Sequence, residues 1–371
     1  MAILKTSRVR SAFGSSKRGI HACTTAQFSH SCPFDAQLSF RQFLEVLRRD
    51  NDIVEIDDEI DPHLEAAAIV RRVSETDNLA PLCNNVKGSK RNLWRIFGNS
   101  ACLRSEKPGE ASGKYGRVAI SLGLGPKATW KELTEKTVAA GGMTPLKPVV
   151  LPTGPCKENS ISAQEINLHE LPVPQLHAGD GGRYVQTYGI HVLQTPDKRW
   201  TNWSIFRGMV HDRNHLCCLV GPSQHSSMVR DEWRAAGAKE IPWALALGVP
   251  PAANLVAALP LPKDVSEGEY VGALTGEPLE LVKCDSNDLL VPASSEIVLE
   301  GAFLLEEFGM EGPFGDFLGM TFDGDVHEQP LFRVDKITYR DDAILPISVP
   351  GRTTDESVCT SGCESWRTAR W

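Results

Sequence analysis

The first regular feature of the chain is a helix-like spacing of apolar residues near its start. Phe40, Phe43, Leu44 and Leu47 recur at positions i, i+3, i+4 and i+7, and this period places them on one face of a helix. Ser39 directly precedes them and can cap the helix with its hydroxyl group. The pattern therefore predicts an amphipathic helix whose apolar face packs into a core.

Residues 35–150 contain further residue patterns that mark the starts and ends of helices and strands, and these patterns are typical of a small α/β domain. An apolar run at 53–56 predicts a strand. The Asp-Pro step at 61–62 predicts the start of a second helix, with aspartate as N-cap and proline in the first turn. A capping box at 129–132 begins another helix, and the glycine pair at 141–142 ends it.

A proline-rich stretch at residues 145–155 predicts a linker, and the pattern changes after it. Strand-like segments separated by turn residues follow, at 185–194, 200–210, 215–220, 279–284, 296–304, 331–339 and 344–349. The turns at 195–198 and 212–214 are short enough for hairpins. We therefore expect an α+β protein, in which a mostly antiparallel β domain at residues 151–350 follows the N-terminal α/β domain.

Candidate acid–base chemistry occurs in two segments of this second domain. Arg207 ends the segment 202–207, and Glu311 and Asp316 flank a Gly-Pro-Phe-Gly turn. A fixed arginine can orient one carboxylate while another carries a proton, so this set suits an active site. A plain alternative also fits, because an arginine at a strand end is often a surface ion pair and Gly-Pro-Phe-Gly is often only a turn.

A candidate metal site lies in the same domain. Asn202, His225 and Glu267 supply an amide oxygen, an imidazole and a carboxylate, which suit an octahedral Mn²⁺ or Mg²⁺ better than zinc. Their spacing matches no local ligand motif, and a single histidine is also common as a structural residue. Both interpretations of His225 stay open from the residues alone.

The period of a strand constrains how these two sites can meet. Asn202 and Arg207 are five positions apart, so a regular strand would direct them to opposite faces. They can serve one cofactor if a bulge or strong twist lies between them, or if metal and substrate lie on different sides of the cofactor's edge. Otherwise one of the two residues is structural.

In their order and in their residues, these segments resemble the UbiD family of prenylated-FMN-dependent decarboxylases. Within this family they are most similar to the fungal ferulic (phenylacrylic) acid decarboxylases. The similarity extends from about residue 39 to about residue 356. It is carried by the segments 152–159, 186–189, 201–204, 242–245 and 311–315. The resemblance implies that the second domain is a split β-barrel that binds the flavin.

The resemblance also implies a set of ligands for the flavin and for two ions. Asn202, His225 and Glu267 would bind a divalent metal, Mn, that bridges to the flavin phosphate. A potassium ion would lie on main-chain carbonyl groups, at Trp203, Ala257 and Leu259. The cofactor would be lined by Thr187, Asn202, Trp203, Ser204, Ile205, Phe206, Arg207, Gln224, His225 and Glu267. Phe206 replaces a smaller residue of the family and is expected to narrow the pocket.

The reaction that the resemblance implies is a non-oxidative decarboxylation. Aromatic α,β-unsaturated acids such as cinnamic, ferulic or coumaric acid would lose carbon dioxide after cycloaddition to prenylated FMN, and a vinyl product would leave. Arg207 would orient the substrate carboxylate and tune Glu311, and Glu311 or Asp316 would supply the proton. Asp316 stands where the fungal relatives have glutamate, so its reach is one methylene shorter. A flavin prenyltransferase would supply the cofactor.

Composition narrows the remaining classes of function. At 371 residues, with 41% hydrophobic and 23% charged residues, the chain is typical of a globular protein with two domains. No run of about eighteen apolar residues predicts a membrane span, and the net charge of −8 argues against a nucleic-acid partner. The ten scattered cysteines do not form a secreted disulfide framework, and we expect reduced thiols.

Residues 1–34 contain five basic residues, several serines and no acidic residue. Because no apolar segment of seven or more residues follows the charges, this composition is typical of a mitochondrial transit peptide rather than a secretory signal. A disordered basic tail is the alternative. We expect a mitochondrial protein.

Residues 351–371 depart from the family, because the chain shows no helical or strand period after Glu356. We expect a truncated form, as from a frameshifted or mis-spliced gene, that lacks the C-terminal domain with its dimer contacts and the far wall of the pocket. Two functions therefore stand. One is the decarboxylase, and the other is a non-catalytic remnant that folds partly and binds at most flavin or metal. The truncation predicts aggregation and little activity.

Overall fold

The structure is a computed structural model that describes residues 37–91, 93–104, 113–315, 320, 324–351 and 356. The expected leader at 1–34, the candidate residue Asp316 and the segment from 357 onwards lie outside these residues. The N-terminal part contains α1 (Phe40–Arg49), β1 (Ile53–Ile60), α2 (Glu65–Thr76), β2 (Ala80–Val86), β3 (Arg95–Gly98), α3 (Gly116–Ser121) and α4 (Trp130–Gly141).

Two of the expected helix starts are confirmed. The hydroxyl oxygen of Ser39 accepts a hydrogen bond from the N–H of Gln42, and the four apolar residues of the predicted face of α1 are buried. At α4 the capping box is complete, because the Thr129 hydroxyl accepts from the N–H of Glu132 at 3.3 Å and the Glu132 carboxylate accepts from the N–H of Thr129 at 2.7 Å. Local signals therefore determine these two helix starts.

The expected start of the second helix at the Asp-Pro step is wrong. Helix α2 begins at Glu65, after Leu64 with a φ of 69° and no side-chain cap. The Glu65 carboxylate instead accepts from the N–H of Asp61 at 2.7 Å, and the Asp61 side chain accepts from the N–H of His63 at 2.9 Å. Strand β1 continues to the residue before Asp61, so this aspartate stabilises the turn out of the strand rather than the helix.

The second part is mostly strand. It contains β4 (Val149–Leu151), β5 (Asn159–Ser162), β6 (Tyr184–Gln186), β7 (Gly189–Gln194), β8 (Thr201–Ser204), β9 (Gly208–Val210), β10 (His215–Cys218), α5 (His225–Ala235), β11 (Glu240–Leu247), α6 (Pro251–Ala257), α7 (Glu267–Thr275), β12 (Glu280–Lys283), β13 (Leu290–Pro292), β14 (Ile297–Glu311), β15 (His327–Tyr339) and β16 (Ile344–Ile347). The main sheet follows the order β6-β9-β10-β15-β14-β11-β7-β8, with β5 alongside β15. All of its pairs are antiparallel, as expected.

The main sheet curls so that its two ends approach each other. In the strand order β8 and β9 are six neighbours apart, which in a flat sheet would separate them by about 29 Å at roughly 4.8 Å per strand. Only residues 205–207 connect β8 to β9, and a link of this length spans on the order of 10 to 15 Å. The sheet therefore forms a half-barrel, and the expected α+β architecture is confirmed.

The break at residues 205–207 also removes the constraint that strand period placed on the candidate sites. Asn202 lies on β8, which pairs with β7, whereas Arg207 immediately precedes β9, which pairs with β6 and β10. The expected single strand at 200–210 is thus two strands. The side-chain directions of the two strands are independent of each other. The spacing of five positions therefore does not require the Asn202 and Arg207 side chains to point to opposite faces.

Strand β16 joins the N-terminal sheet rather than the barrel domain in which we expected it. It pairs in parallel with β3, from Ile344 opposite Arg95 to Ile347 opposite Gly98, and completes a sheet of order β1-β2-β3-β16. Strands β13, β12 and β4 form a third, small sheet. The two parts of the chain therefore interlock, because the last strand completes the N-terminal sheet.

The core of the half-barrel contains His191, which is 1% exposed. Trp243 Nε1 donates to His191 Nδ1 at 2.9 Å, so the proton lies on Nε2, which donates to the carbonyl oxygen of Phe206 at 2.9 Å. The imidazole ring stacks on the Phe206 ring with 3.6 Å between centroids. Burial lowers the pKa of His191 to about 3.

We expect His191 to stay neutral in the folded protein when the pH is lowered to about 4. Because its folded pKa of about 3 lies below the ordinary 6.5, the stability that it contributes is present above about pH 6.5 and is lost as the pH falls towards 3. Nitrogen chemical shifts of the imidazole ring report this directly. Protonation of His191 between pH 6 and 7 would contradict the prediction.

The described cysteines agree with the expectation of reduced thiols. Those with buried thiol groups outside any disulfide are Cys83, Cys102, Cys156, Cys217, Cys218 and Cys284. In the part of the chain that the structure describes, no helix combines the length and apolar character that crossing a membrane requires.

Candidate functional site

A cavity of about 490 Å³ lies where β8, the start of α5 and the connection from α6 to α7 meet. Its size falls in the range of small-molecule sites. Ten of the residues predicted from the sequence line it: Thr187, Asn202, Trp203, Ser204, Ile205, Gln224, His225, Ala257, Leu259 and Glu267. The fold thus brings together residues that no local spacing rule connects.

The deepest polar contact of this cavity joins β8 to the first turn of α7. Asn202 and Glu267 are 1% and 2% exposed, and Asn202 Nδ2 donates to Glu267 Oε1 at 3.0 Å. The N–H of Trp203 donates to Glu267 Oε2 at 2.8 Å, and the Ser204 hydroxyl donates to Asn202 Oδ1 at 2.7 Å. Burial raises the pKa of Glu267 to about 8, although these hydrogen bonds oppose the shift.

The donor set of the cavity fits a divalent cation. Among the ion pairs of the described residues none involves Glu267, so the buried carboxylate has no protein cation to balance it. His225, the first residue of α5, lines the same cavity, and burial lowers its pKa, which favours the neutral imidazole that binds metals. Within the described part of the chain no group of three or more His, Cys, Asp or Glu side chains is arranged to hold a metal ion. A cation at this place would need the amide oxygen of Asn202 as a third donor.

Other predicted positions also line the cavity. Ala257 ends α6 and Leu259 follows two residues later, close to the cavity that Trp203 also lines. Thr187 Oγ1 accepts from the N–H of Ser348 at 3.0 Å. Gln224 is the N-cap residue of α5, and its side-chain oxygen accepts from a backbone N–H of the preceding turn at 3.1 Å.

Arg207 and Glu311 form a second centre. Arg207 lies between β8 and β9, and Glu311 is the last residue of β14. The guanidinium contacts the carboxylate in a bidentate manner, with Nε to Oε1 at 2.7 Å and Nη2 to Oε2 at 2.8 Å. The Glu311 side chain is fully buried, and that of Arg207 is 17% exposed. Burial alone would lower the pKa of Arg207, but the hydrogen bonds and charge of Glu311 together raise it. The pair is therefore a fixed cation beside a fixed anion.

The turn after Glu311 is held by the segment around Asp180. The N–H of Gly181 donates to the carbonyl oxygen of Pro313 at 2.8 Å, and a Cβ on Gly181 would lie only 1.9 Å from the carbonyl oxygen of Gly312. Asp180 Oδ1 accepts from the N–H of Gly315 at 3.0 Å. Only glycine at position 181 permits this close approach, which fixes the end of β14 and the position of the Glu311 carboxylate.

The structure places three predicted residues elsewhere than at the cavity wall. Arg207 and Glu311 are not among the described residues that line the 490 Å³ cavity. The Phe206 side chain is buried in the half-barrel core against His191, so it does not narrow the pocket as we expected. The two neighbours of Phe206 have different surroundings. Ile205 lines the cavity, and the Arg207 side chain contacts Glu311.

Several residues of the site were not predicted from the sequence. On the cavity wall these are Tyr188, Ser223, Asn254, Leu255, Ala258, Pro260, Leu261, Ser348 and Glu356, and at the second centre it is Tyr184, whose hydroxyl donates to Glu311 Oε1 at 2.7 Å. Many of these residues are adjacent in sequence to predicted positions, and this adjacency could have identified them. Ser348 and Tyr184 had no such signal, because only the sheet pairings bring them to the site.

Comparison with known families decides the class of this chain. Residues 44–137 match the N-terminal domain of the 3-octaprenyl-4-hydroxybenzoate carboxy-lyases, and residues 148–353 match the Rift-related domain of the same UbiD group. The chain belongs to the UbiD family. Both parts of this UbiD chain, and most of the residues of the two centres, lie inside the matched ranges.

Named relatives of this UbiD chain are decarboxylases. It is 49% identical over 323 residues to ferulic acid decarboxylase 1 of Saccharomyces cerevisiae and 43% identical over 320 residues to pyrrole-2-carboxylic acid decarboxylase of Pseudomonas aeruginosa. Each alignment covers 86% of the chain and 63% of the relative, so the chain spans less than two thirds of the relatives' length. The UbiD-class enzyme HmfF of Pelotomaculum thermopropionicum, in complex with prFMN, superposes with a TM-score of 0.73 at 28% identity, over 85% of this chain and 68% of HmfF.

Proposed function

We propose that this UbiD protein decarboxylates aromatic α,β-unsaturated carboxylic acids with prenylated FMN as cofactor. The observation that carries the proposal is the buried bidentate pair of Arg207 and Glu311. Such a pair offers a fixed positive charge for a carboxylate substrate and a carboxyl group that can hold or release a proton in a water-poor site. The activities named for the relatives, and the prFMN complex of HmfF, support the same class of reaction.

The cavity beside β8 is the proposed site of the cofactor phosphate. Asn202, His225 and Glu267 would hold Mn²⁺, whose charge would balance both the buried carboxylate and the phosphate. The N-terminal end of α5, an eleven-residue helix that begins at His225, adds a dipole that favours an anion at the same place. Potassium would lie on the main-chain carbonyl groups of Trp203, Ala257 and Leu259.

The residues of the second centre would act on the substrate. Prenylated FMN supplies the electron sink when it is bound. Arg207, whose side chain is partly exposed, would orient the substrate carboxylate before carbon dioxide leaves. Glu311 or Asp316, after taking up a proton from water between turnovers, would then deliver it to the carbon that carried the carboxylate. The guanidinium holds the oxygens of Glu311 in one place. Burial of Glu311 excludes water from this transfer.

The substrate class is tested with the full chain produced beside a flavin prenyltransferase and supplied with Mn²⁺ and K⁺. The proposal predicts bound flavin in the visible spectrum and styrene from cinnamic acid by gas chromatography, in contrast to the little activity that the expected truncation predicts. Pyrrole-2-carboxylic acid serves as a comparison substrate without the side-chain double bond, and faster turnover of it would redirect the proposal to heteroaromatic acids. Bound flavin and metal without any decarboxylation would favour the non-catalytic alternative.

A further inference from the structure

A buried tryptophan, Trp200, lies directly before β8 and two residues before Asn202. The backbone around it is fixed by the preceding turn. The N–H of Trp200 donates to the Thr195 hydroxyl oxygen at 3.2 Å, and the N–H of Thr195 donates to the carbonyl oxygen of Trp200 at 3.0 Å. The indole therefore has a defined position beside the strand that carries Asn202.

The first contact of this indole is with the ring of His225. The two ring centroids lie 4.9 Å apart with 75° between the ring planes, which is an edge-to-face contact. Among the described residues no hydrogen bond holds either ring nitrogen of His225. A histidine that binds a metal usually has its second ring nitrogen fixed by a hydrogen bond. Here the packing against Trp200 determines the orientation of the ring instead.

The second contact of the indole reaches the loop before Glu267. Trp200 Nε1 donates to the carbonyl oxygen of Val265 at 3.1 Å, and the next N–H, that of Thr201, donates to the Ser266 hydroxyl oxygen at 3.3 Å. Ser266 is the N-cap residue of α7, yet its side chain forms no capping bond to the helix. The hydroxyl group that would ordinarily cap α7 thus holds the start of this helix against β8.

We propose that Trp200 is a positioning residue for the candidate metal site and holds His225 and Glu267 in fixed positions relative to β8. The three proposed donors come from one strand and two helices. The indole contacts α5 through the ring of His225 and the segment before α7 through the carbonyl group of Val265. The inference rests on the proposed function, because it concerns a residue that supports the proposed binding of Mn²⁺.

The neighbouring Arg199 links the same elements, but from the surface. Its guanidinium donates to both carboxylate oxygens of Glu232 on α5, at 2.9 and 2.6 Å, and lies 3.3 Å from a carboxylate oxygen of Asp264 in the loop before α7. The Arg199 side chain is 41% exposed, and exposed ion pairs contribute little to stability. The buried indole is therefore the part of this connection that fixes the positions of the proposed donors.

Binding of Mn²⁺ by the full chain, in the presence of saturating FMN, tests the proposal without relying on activity. Trp200→Leu removes both the ring contact and the N–H donor, so we expect the dissociation constant of Mn²⁺ to rise by about 30-fold. Trp200→Phe keeps a ring beside His225 and loses the donor to Val265, so we expect a rise of only about 3-fold. Electron paramagnetic resonance measures the free Mn²⁺. The line shape of the bound ion, which reports the arrangement of its ligands, should change in Trp200→Leu.

Trp94→Leu is the matched control. Trp94 is also buried, and its Nε1 also donates to a main-chain carbonyl oxygen, that of Pro172, at 3.0 Å. It lies directly before β3 in the N-terminal sheet. Both leucine variants should lower the free energy of unfolding, because each removes a large buried side chain. Only Trp200→Leu should change the Mn²⁺ affinity and the line shape of the bound ion.

The possible outcomes separate this role from the proposed function. A dissociation constant in Trp200→Leu within about 2-fold of the parent would overturn the proposal, and so would an equal loss of affinity in Trp94→Leu. A parent protein that binds no Mn²⁺ would reject the metal site and this role with it. The expected losses of affinity in a protein that does not decarboxylate cinnamic acid would uphold the role of Trp200 and reject the proposed function. If Trp200→Leu fails to fold, Trp200→Phe decides, and an affinity equal to that of the parent would overturn the proposal.

Discussion

The Glu311→Gln variant is expected to lose decarboxylation turnover by about 100-fold or more while it retains its flavin. Glutamine preserves the volume of the side chain but cannot carry the proton, and its NH₂ group cannot accept the second hydrogen bond of Arg207. The cavity that would hold the cofactor phosphate has other residues on its wall, so flavin binding should survive. Single-turnover styrene release and the visible flavin spectrum measure the two effects separately.

The control for this experiment is Glu296→Gln. Glu296 is equally buried and forms the same kind of bidentate pair, with Arg41 at 2.6 Å to each oxygen, and neither residue is among those that line the cavity. Breaking either pair leaves a charge without its partner, so both variants should lower the free energy of unfolding, by up to about 3 to 5 kcal/mol. Only Glu311→Gln should lower turnover per folded molecule. Equal turnover in the two variants would show that Glu311 is structural.

A second large effect is expected for His225→Ala, which removes one donor of the proposed metal site. Affinity for Mn²⁺ should fall by about 100-fold or more, and flavin retention should fall with it, because the charge of the metal would help to hold the flavin phosphate. Elemental analysis of the purified protein and the ratio of flavin to protein absorbance measure the two losses. Excess Mn²⁺ should restore part of the flavin.

His63→Ala provides the comparison for this metal experiment. His63 is exposed and lies in the N-terminal part, where its hydrogen bond to Asp61 comes from the backbone rather than the ring. Its Mn²⁺ content should equal that of the parent. Unchanged Mn²⁺ in His225→Ala as well would reject His225 as a ligand and return it to the structural role that a lone histidine often has.

The parts of the structure that could be predicted are those determined by local signals. The hydroxyl cap at Ser39 and the capping box at Thr129 act within one helical turn, so the sequence alone contains the whole interaction. The gathering of Asn202, His225 and Glu267 around one cavity was predicted from family resemblance. Chain spacing could not have indicated it, because these residues come from one strand and two helices.

The parts that could not be predicted depend on pairings between distant segments. The segment 200–210 was expected to form one strand, and only the closure of the sheet divides it into β8 and β9. Tyr184 reaches Glu311 because β6 pairs with β9 beside Arg207, and no feature of its own segment shows this partner. For the same reason Phe206 was expected in the pocket although it packs on His191.

The partnership of β3 with β16 has a consequence for biosynthesis. When the ribosome has released the segment up to Gly98, the open edge of β3 has no neighbour until Ile347 emerges. At cellular rates of synthesis this delay lasts on the order of ten seconds or more, during which the backbone N–H and C=O groups of β3 are available to other chains. The nascent protein is therefore expected to depend on chaperones until the half-barrel is complete, and the N-terminal segment alone should be a poor folding unit.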